Sequence, residues 1–520
     1  MTMLRHKLRR AARAALRRDD PKVSQLPLRL PYRLPDPLRR HRGERPSGAD
    51  LRRTLDFLLR LGELLLRSGA GSVDVEATII ACAMAFGLRD VEASVTNTEI
   101  LVSVAVDENG TPLTDLRNVR VRAVDHSRLV ALHEMVLNLT EGRLSPEEAY
   151  KRLDEIVHAP KRYPRWGVTI AWATLATAVS VQLGGNWLHA LVTFVSAGVI
   201  DRLGRRLARR NIPDFYLNFI GAALVTGVAV GLTAAGAPLQ PALVVAGGVV
   251  LLLPGLALLS CVQDALTGFV VTAAGRLVDV LILAAGIISG VAAALIVARQ
   301  AGLSMPVQPP APFTLTGLPP QFISAGIVAA AMSFGLYAPL RVLPFAFLLG
   351  GSGYVAFLSI NHLLAAPSMS RGLVAVVLGV CGHAIATRYR LPALTVVLPA
   401  IIPMLPGLTI YGAMLELTQG DRLTGIGLLL QAGTDALALA AGVILGEFLG
   451  QPLRRPLTRK ERRYAGPRLL GPMKVRADRP ALDVPHQNSR GSERKNVARS
   501  GPRVKIPRQR PFKPRGRTSS

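Results

Sequence analysis

From about residue 166 to residue 450 the chain is a succession of apolar stretches, each close to the ~20 residues an α-helix needs to cross a bilayer. Nothing else in the sequence restricts the fold as severely. Inside hydrocarbon every backbone N–H and C=O must find a partner within the protein, which leaves helices or a closed barrel. The length of these runs selects helices. Ten are placed, at 166–183, 187–203, 214–235, 239–261, 277–297, 320–338, 343–364, 371–388, 391–413 and 423–449. The expected fold class is an α-helical polytopic membrane protein with ten transmembrane helices.

The net charge of +28 belongs to the ends of the chain. Residues 1–45 hold 14 Lys/Arg against 4 Asp/Glu, and residues 454–520 hold 21 against 4. Both ends are rich in Pro and Arg and poor in aromatics, so 1–49 and 454–520 are expected to be basic disordered arms. Such arms suit anionic lipid and nucleic acid equally well. The remaining basic residues orient the helices. Lys161, Arg162 and Arg165 precede the first stretch, and Arg202, Arg205, Arg206, Arg209 and Arg210 follow the second. Arg341, Arg388 and Arg390 fall on the same side, while the loops at 236–239 and 299–319 are nearly uncharged. With both termini cytoplasmic, all of these basic residues lie inside. Arg371 and Arg422 fall on the other side and count against that orientation.

Within the apolar set one motif occurs twice. Leu253-Pro254-Gly255-Leu256 recurs as Leu405-Pro406-Gly407-Leu408. An acid stands eight residues after each final Leu, Asp264 in the first copy and Glu416 in the second, and Gly268 or Gly420 follows four residues later. The strings Ala284-Ala285-Gly286-Ile287-Ile288 and Ala440-Ala441-Gly442-Val443-Ile444 also match. The copies lie in the fourth and ninth stretches, five crossings apart. Five is odd, so they run through the membrane in opposite directions. The expected plan is a 5+5 inverted repeat with halves at 166–297 and 320–450. In such plans interrupted helices form a solute site near the bilayer midplane.

Pro254 and Pro406 each remove a backbone donor, and Gly255 and Gly407 loosen the chain beside them. An unwound segment exposes N–H and C=O groups that can hold the ends of an amino acid; a packing kink is the plain alternative. Asp264 and Glu416 are candidates for ammonium or proton binding, against the alternative of helix-end acids in water. Asp279 and Asp435 come next, with Arg276 and Asp279 spaced to pair with each other. Tyr411 follows the second motif as a possible lining residue. His189, His362 and His383 read as interfacial or packing residues, and Gly286-x3-Gly290 and Gly442-x3-Gly446 as close helix contacts. The three cysteines fit neither a zinc site nor a disulfide framework, so no metal or cofactor is expected.

Residues 50–160 precede the apolar part and read as a small cytoplasmic α+β domain. Helical spacing over 51–67 puts Leu55, Leu58, Leu59, Leu65 and Leu66 on one face, and Ser68-Gly69-Ala70-Gly71-Ser72 breaks it. A second helix is expected over 73–86, strands over 91–95 and 100–106, and a hairpin turn at 107–110. Two more helices follow, the later one opened by Ser145-Pro146-Glu147-Glu148, a capping box with Pro at its first position. His133-Glu134 begins like a metalloprotease helix, but position 137 is Leu. The 68–72 turn lacks the Lys of a phosphate loop; it could bind a carboxylate at the helix that follows.

The stretch Leu66-Arg67-Ser68-Gly69-Ala70-Gly71-Ser72-Val73, Gly87-Leu88 and residues 96–104 resemble the amino-terminal domain of the threonine/serine exporter (ThrE) family. Residues 253–264 with Gly268, Gly275-Arg276 and Asp279 are similar to its first membrane half, and Pro403-Met404-Leu405-Pro406-Gly407-Leu408-Thr409-Ile410-Tyr411 with 441–447 to its second. The resemblance covers roughly 50–450. It implies ten membrane helices, a cytoplasmic amino-terminal domain, and export of threonine and serine driven by protons, in a bacterial inner membrane. Two positions depart from the family pattern: Ser260 stands where Asn is frequent, and Gly412 follows Tyr411 where Arg is frequent. The family also holds members with dicarboxylate-related substrates. Expected partners are threonine, serine, protons and membrane lipid, with a homo-oligomer left open. The alternatives are a transporter of another small solute such as a dicarboxylate, or a membrane-anchored hydrolase acting through residues 50–160.

Overall fold

The first two helices meet at the Ser68–Ser72 turn expected from the sequence, and the geometry of that turn sets the site described below. The computed structural model describes residues 48–88, 91–104, 112–119, 124–303 and 317–450; the two basic arms and the 107–110 turn lie outside them. Helix α1 (Gly48–Arg67) buries Leu55, Leu58, Leu59, Leu65 and Leu66. It ends at Gly69, whose φ of 100° is open to glycine, with Gly69 N–H donating to Leu66 O and Ala70 N–H to Leu65 O. This pair of bonds is a Schellman ending. Two residues later Gly71 begins α2 (Ser72–Ala85) and, having no side chain, supplies no cap.

Three antiparallel strands follow in the order β1 (Val91–Val95), β2 (Glu99–Val104), β3 (Leu113–Asn118). Val91 pairs with Val104 and Val95 with Ile100, while Leu113 pairs with Val104 and Asn118 with Glu99. Strand β3 was not expected. As an edge strand it is mostly exposed and carries Thr114, Asp115 and Arg117, so the alternation that marks a half-buried strand is missing. Helix α3 (His126–Thr140) is capped by Asp125, which accepts from the Ser127 and Arg128 amides, and α4 (Pro146–His158) by the Ser145–Glu148 capping box. The core of this region is not closed. Leu58, Ile79 and Ile100 share one apolar cluster with Leu259 and Val262 from the apolar helices, so no packing boundary separates residues 50–160 from the rest.

The apolar part comprises α5 (Arg165–Gln182), α6 (Trp187–Ala208), α7 (Asp214–Ala234), α8 (Pro241–Val249), α9 (Gly255–Leu266), α10 (Val270–Gln300), α11 (Leu318–Gly335), α12 (Leu343–Leu364), α13 (Pro367–Tyr389), α14 (Leu394–Ile401), α15 (Gly407–Gln419) and α16 (Arg422–Gly450). Among the described residues six helices are long and apolar enough to cross a membrane, namely α7, α10, α11, α12 with the 3-10 turn before it, α13 and α16. A seventh crossing forms if α14 and α15, bent by 42° where they meet, count as one. Of the other expected stretches, α6 carries Asp201, Arg202, Arg205 and Arg206 in its last turns, α5 is diluted by Thr, Trp and its terminal Arg165 and Gln182, and α8 and α9 are each short. Large apolar side chains such as Leu191, Val195, Leu281, Val377, Leu430 and Leu437 point outward. A belt of this kind belongs against lipid. The protein is thus an α-helical polytopic membrane protein.

Close packing pairs α7 with α10 and α13 with α16. A Cβ built on Gly286 would stand 2.5 Å from the Phe215 carbonyl oxygen, and one on Gly442 at 2.5 Å from that of Gly372. Gly290 and Gly446 likewise meet the carbonyls of Phe219 and Val376. Both Gly-x3-Gly pairs are therefore helix contacts, two glycines four residues apart on one helix facing two carbonyls four residues apart on the other.

Candidate functional site

The two LPGL segments have nearly the same backbone. Pro254 sits at φ −80°, ψ 53° and Pro406 at φ −82°, ψ 51°. In each, the Gly N–H donates to the Leu carbonyl two residues back, at 2.9 Å from Gly255 to Leu253 and 2.9 Å from Gly407 to Leu405. These are inverse γ-turns, and they separate α8 from α9 and α14 from α15. The turns face each other. Ile402 and Leu405 are the nearest atoms to Gly255, and the Ala246 carbonyl and Val250 the nearest to Gly407. Carbonyls freed at the second break find donors on other helices: Gln182 Nε2 donates to Pro403 O at 3.0 Å and Arg371 Nε to Met404 O at 3.0 Å.

A cavity of about 280 Å³ lies beside the first break. Leu253, Pro254, Gly255, Leu256, Ser260 and Arg276 form one wall, Trp172, Leu175, Met332 and Ile402 another, and Leu66, Gly69, Ala70 and Val124 line it from the amino-terminal region. This is at the small end of ligand pockets, which run from ~300 to ~1,000 Å³, and it suits a solute of few atoms. Its charge is carried by Arg276, 2 % exposed, whose Nε lies 3.2 Å from Oδ2 of the fully buried Asp264. The uncapped N-terminus of α2 completes the group. Ser72 N–H donates to Asp264 Oδ1 and Ser72 Oγ to Oδ2, both at 3.2 Å, and Arg276 donates to Ser72 Oγ at 3.4 Å. The carboxylate that the 68–72 turn could bind is thus Asp264, 192 residues away. A helix N-terminus attracts a carboxylate through its free N–H groups and its dipole. Beside it Gln263 donates to Asp74 at 3.2 Å, and Gly71 leaves room for the Gln263 amide.

The other expected residues are placed elsewhere. Asp279 is exposed and accepts from Asn97 at 3.1 Å, so Arg276 and Asp279 do not pair as their spacing suggested; the stronger claim on Arg276 is the buried Asp264. Asp435 is fully buried, with Arg371 Nη1 at 2.6 Å and Ser368 Oγ donating to it, and Phe357 lies under the guanidinium. Arg371 therefore does not weigh against the orientation read from charge, because its charge is matched inside the protein. Tyr411 is buried among Val245, Ile287, Val291 and Met414, away from the cavity. Glu416 is half-buried near the end of α15, where Arg299 donates to the Thr418 carbonyl. Asp264 and Glu416, matched in sequence, are thus placed by opposite ends of α10, since Arg276 and Arg299 stand ~35 Å apart along it at 1.5 Å per residue. Asn218 bonds the Leu283 carbonyl, and His189 accepts from the Gln240 amide where α8 begins. Sequence reasoning missed Ser72, Gln182 and Ser368 as partners; only Ser72 lay in a motif that could have pointed to it.

The amino-terminal region is pinned to the helices at further points. His126 N–H donates to Leu336 O and Tyr163 Oη to Ala338 O, while Arg390 pairs with Glu141. Burial holds the His126 imidazole down at about 4, against a smaller opposing pull from Asp125, and holds His133 at about 4 with help from the nearby Arg390 charge.

Broken helices that face each other, a small cavity beside the first and a buried, ion-paired arginine on its wall define a membrane protein of the transporter class. A family model described as "Putative threonine/serine exporter" matches residues 56–298, and one described as "Threonine/Serine exporter, ThrE" matches residues 321–449. The chain belongs to the threonine/serine exporter family. It is 36% identical over 430 residues to a "Probable threonine/serine exporter" of Mycobacterium tuberculosis (strain ATCC 25618 / H37Rv), covering 81% of each chain. It is 30% identical over 411 residues to a "Threonine/serine exporter" of Corynebacterium glutamicum, covering 77% of this chain and 83% of the relative. Over 221 residues it is 26% identical to a "Probable succinate transporter subunit YjjP" of Escherichia coli (strain K12), covering 42% of this chain and 84% of the relative. No solved structure matches.

Proposed function

We propose that the protein exports small neutral amino acids, threonine and serine, from the cytoplasm of a bacterium, driven by the proton gradient across the inner membrane. The observation that carries this reading is the small cavity at the first break, lined on one side by the amino-terminal region and on its wall by the buried Arg276, with Asp264 paired to that arginine behind the wall. An amino acid brings one carboxylate and one ammonium; Arg276 offers a counter-charge to the first at the cavity wall, and Asp264, paired to it, one to the second. A buried acid is also the kind of group that loads and releases protons in membrane carriers. The names of the two longer relatives support the same solutes.

The ten stretches and the 5+5 inverted repeat belong to this proposal. Its supports are the matching γ-turns, the matching glycine contacts, and the placement of the two motif acids by opposite ends of α10. Both termini are assigned to the cytoplasm. Arg165, Lys161, Arg205 and Arg390 gather on the side that holds the amino-terminal region: Lys161 lies over the Tyr337 ring, Arg205 reaches Thr169, and Arg390 pairs with Glu141. Asp264, Glu416 and Asp435 stand as the proton- or ammonium-binding acids.

The test is export itself. Cells fed a threonine-containing dipeptide should accumulate less free threonine when they express the protein, and an uncoupler should abolish the difference. Equal accumulation with and without the protein overturns the proposal. Dicarboxylate transport is the second reading, favoured by the relative named for succinate and by a cavity whose wall carries a buried arginine. Succinate efflux measured in the same cells decides between them.

A further inference from the structure

We infer that the solute opens its own cavity: its zwitterion inserts between Asp264 and Arg276, and Asp264 thereby releases Ser72 and the amino-terminal region. The inference rests on amino acid transport through this cavity and adds which groups recognise the solute and what moves. Three facts carry it. First, both members of the pair are out of water, with Asp264 at 0 % and Arg276 at 2 % exposure, so neither tolerates losing its partner without a replacement. A zwitterion replaces both, carboxylate on Arg276 and ammonium on Asp264, and buries no net charge. A dicarboxylate would set a second anion beside Asp264, and an amine alone would leave Arg276 unmatched.

Second, Asp264 holds two loads at once. Its Oδ2 faces Arg276 and also accepts the Ser72 hydroxyl, while its Oδ1 accepts the Ser72 amide. Because Gly71 brings no cap, Asp264 stands in for one at the start of α2. An ammonium that draws Asp264 away leaves that turn to be satisfied by water, which it reaches only by moving off the helices.

Third, the segment that would move is the wall. Gly69 and Ala70 line the cavity three and two residues before Ser72, and Gly69 rests on Leu256 of the first break. Releasing Ser72 therefore uncovers the cavity. The amino-terminal region is a gate of the transport path, latched by Ser72 and keyed to the two charges of an amino acid.

The experiment uses the full-length protein in proteoliposomes with threonine, threonine amide (no carboxylate), N-acetylthreonine (no ammonium) and succinate. Threonine should bind and should speed backbone hydrogen exchange over residues 66–75. Each of the other three should bind at least tenfold more weakly and leave exchange unchanged. Ser72→Ala removes one latch bond without touching the solute and should bind threonine several-fold more tightly, whereas a residue that merely holds structure gives equal or weaker binding. Gly71→Cys with Gln263→Cys, in a variant whose three native cysteines are replaced by Ala, should stop transport when oxidised and resume it on reduction. Comparable binding of threonine and its amide, unchanged exchange on threonine binding, or full transport by the cross-linked form overturns the inference. Should the double cysteine variant be inactive even when reduced, the analogue series and the exchange measurement on the unaltered protein still decide. A protein that neither binds nor transports threonine overturns the proposed function, and this inference with it.

Discussion

A carboxylate with no exposed surface has to be matched on every side, and among the described residues two such acids, Asp264 and Asp435, face arginines. Asp435 has Arg371 and Ser368 on its oxygens, and Arg371 is also bonded to the Met404 carbonyl at the second break. Removing one member strands the other. Arg371→Gln should lower stability in detergent by about 3–5 kcal/mol, while Arg371→Leu combined with Asp435→Leu should lose much less, as thermal unfolding of the three proteins will show. Titration of the buried histidines supplies a second expectation. Their ordinary value is 6.5 and burial lowers them to about 4, so the unfolded chain binds more protons between those values. The contribution of these two histidines to stability is therefore fully present above pH 6.5 and is lost as pH drops from 6.5 toward 4. At pH 5.5 the loss is on the order of 1 kcal/mol per histidine. Melting curves at pH 7.5 and 5.5 check it, and His126→Leu should flatten the dependence. Little of this was legible in the sequence. Asp264 and Asp435 could be singled out because charge in an apolar run is costly, but their partners come from helices 12 to 192 residues away.

Breaks and close contacts are properties of elements. Each LPGL turn depends on a proline that offers no N–H to the helix and a glycine that follows it. Pro254→Ala and Pro406→Ala should each let the helix run through, cutting threonine export at least tenfold while leaving folded protein in the membrane; a purified variant with normal export would sink the assignment. The Gly-x3-Gly contacts are expected to act on stability. Gly290→Ala and Gly446→Ala drive a methyl into a facing carbonyl and should cost about 1–3 kcal/mol, measured by thermal unfolding. Gly433→Ala meets nothing within 4 Å and should be neutral or slightly stabilising, since Ala is the better helix former. At this scale the sequence was most informative. Proline, glycine and capping residues act locally, so the breaks, the turn at Gly69 and the capping box at Ser145 could be read directly. Strand β3 could not, because only pairing with β2 makes it a strand.

For the whole molecule, the two family models meet at a seam, one ending at residue 298 and the other starting at 321. Each half carries its own broken helix, and each broken helix packs on the last long helix of the other half, α9 on α16 and α15 on α10. Fragments 1–310 and 311–520 expressed together should therefore associate and restore export, and neither alone should export. Co-purification and dipeptide-loaded efflux measure the two parts; failure of the fragments to associate would count against a contact surface of this extent. Crossing counts and charge placement allowed the expectation of two opposed halves because both depend only on order along the chain. The continuity of the amino-terminal core with Leu259 and Val262 depends on docking, and no local pattern announces docking.

Helix α10 runs 31 residues, ~46 Å at 1.5 Å per residue, well beyond a hydrocarbon core of ~30 Å. Arg276 near its start bonds the group at the first break, and Arg299 near its end bonds the last turn of the segment after the second. It is a lever with a load at each end. A tilt of 10° about either arginine would carry the other by ~6 Å, more than the width of a methyl-lined gap, so a small rearrangement around one γ-turn is a large one at the other.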